Sequence, residues 1–245
     1  MPTIPSLPPK PLADTIRPQI TQAPRHTFWR KLGRGCLKFI AKIMVEVCLK
    51  MEVNGLENIP SKGPALIVVN HLGDADAVVV LAKLPMSIEA FVKSELYDYP
   101  LLGWILRLYG VIWIHRGTPD RRALRIALQM LNEGRFFGIA PEGRESLSGS
   151  LEEGTEGAAF LALKSGVPIL PVTFTGTENT RIYGNLKRLH RTPVTLTVGK
   201  AFHLEEMSNR REALRKGTEQ IMRIIASQLP EEYRGVYGGK TRIES

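Results

Sequence analysis

Cysteine is almost absent from this sequence: there are two in 245 residues, Cys36 and Cys48. They fall in one predicted helix twelve residues apart, about 18 Å along its axis, which excludes an internal bridge and makes a reducing compartment the expectation. Aromatic residues are only 7% of the chain, and no apolar run approaches the roughly 18 residues of a spanning helix. The most apolar stretch, Leu101 to Ile114, is interrupted by Arg107, so no transmembrane segment is expected. Residues 1–24 hold seven prolines and no apolar core, so no signal peptide is expected, and 1–27 reads as a flexible Pro-rich basic arm. His26, His115, His190 and His203 are scattered and form no second ligand pair with His71, so no metal is expected. There is no internal repeat.

Acidic residues are scarce at one end. The first 50 residues carry nine Lys or Arg against Asp14 and Glu46 alone, and the whole chain is +9. An anionic partner at that end is implied, a membrane surface or a nucleic acid. Apolar residues at 43% and charged residues at 23% exclude disorder and give enough chain for a sizeable core.

Residues 28–51 form an amphipathic helix when plotted at about 100° per residue. Lys31, Arg34, Lys38 and Lys42 share one face, while Trp29, Leu32, Cys36, Ile40, Ile43, Val47 and Met51 cluster on the opposite one. Two readings stand side by side: a surface helix whose apolar face packs on the core, or an interfacial helix lying on anionic lipid. The second is favoured by Phe28 and Trp29 at its start and by the basic arm before it.

From residue 52 the pattern alternates. Strands are predicted at 65–70, 90–93, 111–114, 136–140, 169–174 and 194–198, with helices at 74–83, 96–108, 119–132, 156–164 and 210–228. Continuous apolar strands separated by helices predict an α/β fold, a mostly parallel central sheet flanked by helices, occupying 52–232. The tail 233–245 is expected to fray.

The chemistry gathers at strand ends. Asn70-His71-Leu72-Gly73-Asp74-Ala75-Asp76 puts a His after a strand and an Asp five residues on, near a helix start. An Asp on one imidazole nitrogen sets the tautomer and stabilises the imidazolium, so the other nitrogen serves as a base. An Asn at position 76 would then hold the wrong tautomer. The plainer account makes Asp74 and Asp76 helix caps and His71 a loop residue. Three more stretches follow in order: Gly110 to Arg116, a strand ending in Arg; Pro141-Glu142-Gly143-Arg144-Glu145, a charged turn after a strand; and Val167-Pro168-Ile169-Leu170-Pro171-Val172. Together they would bring one base and two cations to one sheet edge.

These four blocks, in this order over roughly residues 50–200, resemble those of the glycerolipid acyltransferase family, best known for its 1-acylglycerol-3-phosphate acyltransferases. The resemblance implies transfer of a fatty acyl group from an acyl thioester, acyl-CoA or acyl-carrier protein, to the hydroxyl of a lysophospholipid, with no other cofactor. It makes His71 the general base and Asp76 its orienter, and gives Arg116, Glu142, Gly143 and Arg144 to the acceptor's phosphate. It also favours the lipid-facing reading of 28–51, hence a peripheral protein on the cytoplasmic face of an anionic membrane. Two positions depart from the family pattern: Gly73 stands where Ser is frequent, and Arg144-Glu145 stands where Thr-Arg is usual. A carboxylate at 145 would suit a zwitterionic or amine-bearing acceptor. The alternatives are a non-catalytic lipid-binding protein on the same scaffold and a nucleic-acid-binding protein. The latter is disfavoured, because the basic residues back onto an apolar helix face rather than alternating with stacking aromatics.

Overall fold

The computed structural model describes residues 20–24, 27–115, 120–205 and 207–239. Seven strands form one sheet: β1 (Leu49–Asn54), β2 (Ala65–Val69), β3 (Ile88–Lys93), β4 (Ile112–Ile114), β5 (Phe136–Ile139), β6 (Ile169–Thr175) and β7 (Thr192–Val198). Their spatial order is β1-β7-β6-β2-β5-β3-β4. Every neighbouring pair is parallel except β6 and β7. The helices are α1 (Phe28–Cys48), α2 (Ala75–Lys83), α3 (Pro100–Tyr109), α4 (Arg121–Asn132), α5 (Glu156–Ser165), α6 (Asn179–Lys187) and α7 (Arg210–Ser227).

The two-residue period of the strands builds two cores. Leu66, Val68 and Ile169 point into one with α4, α5 and α7, while Ile67, Leu170, Val172 and Phe174 point into the other with α1 and α2. β2 lies between β5 and β6 with all of Ala65–Val68 buried, which explains its uninterrupted apolar run. The α/β class and largely parallel sheet follow the sequence reading. Three elements depart from it. The first helix ends at Cys48 and not at 51, because Leu49–Asn54 pairs with β7 from Leu49↔Thr192 to Asn54↔Thr197. The tail expected to fray from 233 is folded through its described part: Glu231–Tyr233 and Gly235–Tyr237 form short 3-10 turns held against Leu151. Helix α6 had no counterpart in the pattern, since its only apolar spacing is Ile182 to Leu186 and Gly184 interrupts it.

Helix α1 sits the other way round from an ordinary surface helix. Its buried stripe is Gly33, Arg34, Ala41 and Val45, with Lys38 half-buried. The Arg34 guanidinium forks onto Glu89 (Nη1–Oε1 3.0 Å, Nη2–Oε2 2.7 Å) and donates through Nε to the Tyr109 carbonyl at 2.7 Å. Lys38 Nζ donates to the carbonyls of Leu84 and Pro85 at 2.7 and 2.9 Å. Part of the basic face thus bonds to the protein, and the apolar face points out: Trp29 is 73% exposed, Phe39 65% and Val47 66%. α3, whose Leu108 abuts Gly33, leaves Leu101 and Trp104 exposed as well. No helix among the described residues is long and apolar enough to cross a membrane.

Candidate active site

The carboxyl end of β2 is pinned before it turns. Asn70 is buried, donates through Nδ2 to the Phe174 carbonyl at 2.9 Å and accepts from Phe174 N–H at 2.8 Å, so the exit of β2 is fixed to β6. His71 follows, and the chain folds back into α2, which brings Asp76 in its first turn under the ring. His71 Nδ1 lies 2.8 Å from Asp76 Oδ2. An ionised carboxylate only accepts, so Nδ1 carries the hydrogen and Nε2 is the basic nitrogen. The same Oδ2 accepts from Leu72 N–H at 2.8 Å and Gly73 N–H at 3.1 Å. Asp76 is therefore held by the backbone of the turn it orients, at 4% exposure, whereas the His71 side chain is 28% exposed at the sheet edge. A capping role does not account for the pair: Asp74 at the N-cap position makes no side-chain cap bond, and its Oδ2 accepts from Tyr183 OH at 3.0 Å.

The turn after β5 meets this loop from the neighbouring strand. Ser146 N–H donates to the His71 carbonyl at 2.8 Å. Glu142 is buried, and its Oε1 accepts from His71 N–H at 3.3 Å while Oε2 accepts from Glu152 N–H at 2.9 Å. Burial pushes its carboxyl above the usual carboxylate range, against the two amide bonds that favour the charge. The resemblance assigns Glu142 to the acceptor; in the structure both of its oxygens accept from main-chain amides and tie the His71 turn to the 142–152 loop. Gly143, likewise assigned to the acceptor, has φ of 74° and donates its N–H to the Ala140 carbonyl at 3.0 Å, so it is the left-handed residue that lets Arg144 leave the turn. Arg144 is half-exposed and paired to Glu152 Oε2 through Nε at 3.1 Å and Nη2 at 2.6 Å. The Leu147 N–H bond, followed by Arg144, holds the Glu152 carboxyl below its ordinary value. Arg116 lies outside the described residues; β4 ends at Ile114, two residues before it.

Two residues of α6 were missed by the sequence reading. Asn179 uses both ends of its amide: Oδ1 accepts from Asp74 N–H at 3.0 Å, and Nδ2 donates to Glu145 Oε1 at 2.8 Å. Tyr183, one turn on, donates to Asp74, and that bond is the main cause raising its phenol above the ordinary value. A side chain at Gly73 would run into the Thr177 carbonyl and Asn179 Oδ1, which explains the glycine there. The cue available in sequence was the polar run Thr177-Glu178-Asn179 just after the last buried strand of the site. Among the described residues no three His, Cys, Asp or Glu side chains are grouped to hold a metal. The arrangement is an oriented imidazole at a sheet edge, flanked by one guanidinium on a carboxylate and a second, acidic wall at Asp74 and Glu145.

A family model described as acyltransferase matches residues 50–175, the span from β1 to β6. The chain is 30% identical over 172 residues to the chloroplastic 1-acyl-sn-glycerol-3-phosphate acyltransferase of Arabidopsis thaliana, covering 67% of this chain and 48% of that protein. It is 31% identical over 148 residues to the 1-acyl-sn-glycerol-3-phosphate acyltransferase of Borreliella burgdorferi, covering 56% and 59%. The chain thus spans about half the length of these curated relatives. The crystal structure of the 1-acyl-sn-glycerophosphate acyltransferase PlsC from Thermotoga maritima superposes with a TM-score of 0.61 at 27% identity, covering 81% of each chain.

Proposed function

We propose that this chain, which belongs to the acyltransferase family, moves a fatty acyl group from an acyl thioester to the free hydroxyl of 1-acylglycerol-3-phosphate, giving phosphatidate. The observation that carries the reading is the His71–Asp76 pair, whose acceptor oxygen is held by two backbone amides of the same turn. His71 Nε2 takes the hydroxyl proton as the oxygen attacks the thioester carbonyl. The tetrahedral oxyanion collapses, the C–S bond breaks, and the imidazolium returns the proton to the departing sulfur. Asp76 stabilises that imidazolium, a service worth part of the roughly 10²–10⁴-fold of general base catalysis. Arg144 meets the acceptor's phosphate by exchanging Glu152 for it. The donor is acyl-CoA or acyl-carrier protein.

A second acceptor reading has its own observation. Glu145 and Asp74 are both fixed by α6, so the wall beside His71 is anionic and would suit an amine-bearing head group. Free-thiol release from acyl-CoA separates the two when run with lysophosphatidic acid, lysophosphatidylcholine and lysophosphatidylethanolamine. Release with lysophosphatidic acid, lost in His71→Ala, is the expected result. Release only with an amine-bearing acceptor moves the protein to that class, and equal release by wild type and His71→Ala removes His71 as base.

The lipid interface belongs to the same reading. An outward apolar face on α1, edged by exposed Lys31 and Lys42, suits the boundary of an anionic bilayer, where the enzyme works as a peripheral protein on the cytoplasmic face. Phe39→Ser with Ile43→Ser should abolish cosedimentation with anionic vesicles while leaving the melting temperature unchanged, because both side chains are exposed in the free protein. Undiminished cosedimentation removes α1 as the anchor.

A further inference from the structure

The segment after α7 returns to the reactive edge of the sheet, where it touches both loops that flank His71. Tyr233 OH donates to Glu178 Oε1 at 2.6 Å and accepts from Gly176 N–H at 3.2 Å, while the Tyr233 carbonyl accepts from Leu151 N–H at 2.9 Å. Val236 N–H closes a second bond to the Leu151 carbonyl at 3.2 Å, and Tyr237 OH accepts from Gly154 N–H at 3.2 Å. Gly235 crosses Leu151 so closely that a side chain there would strike the Leu151 carbonyl. One short strap therefore binds the turn 176–179 on one side and the loop 151–154 on the other.

Each of those loops holds a part of the site. Glu178 is followed by Asn179, which fixes Asp74 N–H and the Glu145 carboxylate, and the Thr177 carbonyl lies against Gly73. Leu151 is followed by Glu152, which pairs with Arg144 and donates its N–H to Glu142, the residue that holds His71 N–H. The other oxygen of Glu178, Oε2, is buried with no hydrogen-bond partner among the described residues, so the Tyr233 hydroxyl is what holds this carboxylate in place.

We infer that Tyr233 is a positioning residue for the acceptor side of the site: its hydroxyl fixes Glu178, and through Asn179 sets where Asp74 and Glu145 stand beside His71. The inference rests on the proposed acyl transfer for its kinetic consequence and on the structure alone for its geometric one. It predicts that loss of the hydroxyl loosens the acceptor wall and leaves the His71–Asp76 pair, which is bonded independently through Leu72 and Gly73, in place.

The test uses the whole 245-residue chain and two readouts. In Tyr233→Phe, which keeps the ring and its packing, hydrogen exchange at the Asp74 amide should rise about tenfold, the scale of one hydrogen bond to a charged group, with β2 and β6 amides unchanged. KM for lysophosphatidic acid should change by about the same factor, with kcat and the donor KM within about twofold of wild type. Glu178→Ala should reproduce both changes, and the double variant should be no worse than either single one. Glu178→Gln, which keeps an acceptor oxygen for the hydroxyl, should return both readouts close to wild type. Unchanged Asp74 exchange in Tyr233→Phe overturns the inference, as does a uniform fall in kcat with loss of thermal stability, the signature of a merely structural strap. If wild type transfers nothing to lysophosphatidic acid while Asp74 exchange rises as stated, the positioning stands and the acceptor assignment falls.

Discussion

Replacing Asp76 by Asn separates two ways in which the carboxylate can serve His71. In an arrangement where the acid bonds only the imidazole, the amide can turn its NH2 to the ring, stabilise the wrong tautomer and cost about 10⁴-fold. Here the oxygen facing His71 also accepts two backbone amides, Leu72 N–H at 2.8 Å and Gly73 N–H at 3.1 Å. An NH2 in that position would oppose two donors, so the Asn must place its carbonyl oxygen there, and Nδ1 of His71 keeps its hydrogen. What is lost is the charge. A hydrogen bond to a charged group contributes about 1.5–3 kcal/mol against about 0.5–1.5 for a neutral one, so the imidazolium loses about 1–2 kcal/mol. That converts to about 5–30-fold in kcat. The new NH2 falls where Oδ1 is buried without a partner among the described residues, which should lower stability by about 1–3 kcal/mol. Acyl transfer measured at saturating donor and acceptor, beside urea denaturation of the same preparation, tests both figures. A loss of 10³ or more refutes the backbone-held orientation, and a loss below about twofold means that His71 does not become charged in the rate-limiting step.

Arg34→Ala should cost about 3–5 kcal/mol in denaturant unfolding, because Glu89, 2% exposed, would lose its bidentate partner and keep Arg135 no nearer than 3.7 Å; Lys42→Ala, on the exposed side of the same helix, should be nearly neutral. Glu142 binds its proton more tightly folded than unfolded, so its ionisation opposes folding: its contribution is fully present below the ordinary value of 4.5 and is lost as pH rises through the higher folded value. Unfolding free energy followed upward from pH 4 should therefore fall more steeply for wild type than for Glu142→Gln, and parallel curves would contradict the burial argument. Glu152→Gln should lower the acceptor KM by up to about fivefold by releasing Arg144, while Arg144→Ala should raise it; movement in the same direction would mean that the exposed pair does not compete with the acceptor.

The blocks carrying the chemistry were legible because they are local. A His five residues from an Asp across a strand-to-helix turn leaves few ways to fold, and the expected pair formed at 2.8 Å. Strands with unbroken apolar runs were equally plain, since burial on both faces removes any reason for polar alternation. Leu49–Met51 reads as helix because the apolar face of α1 runs into it without a break, and only the pairing of this strand with β7, more than 140 residues later, decides the matter. The family resemblance assigns Glu142 to the acceptor; that its carboxylate accepts from two backbone amides carries no signature in a sequence.

By itself the sequence determined the α/β class, the order of the four blocks, the placing of His71 beside Asp76, and the existence of an amphipathic first helix. Tertiary structure decided which way that helix faces: its buried stripe is set by Glu89 and by the carbonyls of Leu84 and Pro85, a carboxylate and acceptors supplied from β3 and the end of α2 that a helical wheel does not include. It likewise brought Asn179 and Tyr183 onto Asp74, three residues after His71, and Tyr233 onto Glu178. Asn179, Tyr183 and Tyr233 lie more than 100 positions after His71, and a sheet with β2 at its centre is what gathers their loops at one edge. Periodicity reports how a segment meets an interface, and which partner stands across that interface depends on where the rest of the chain has folded.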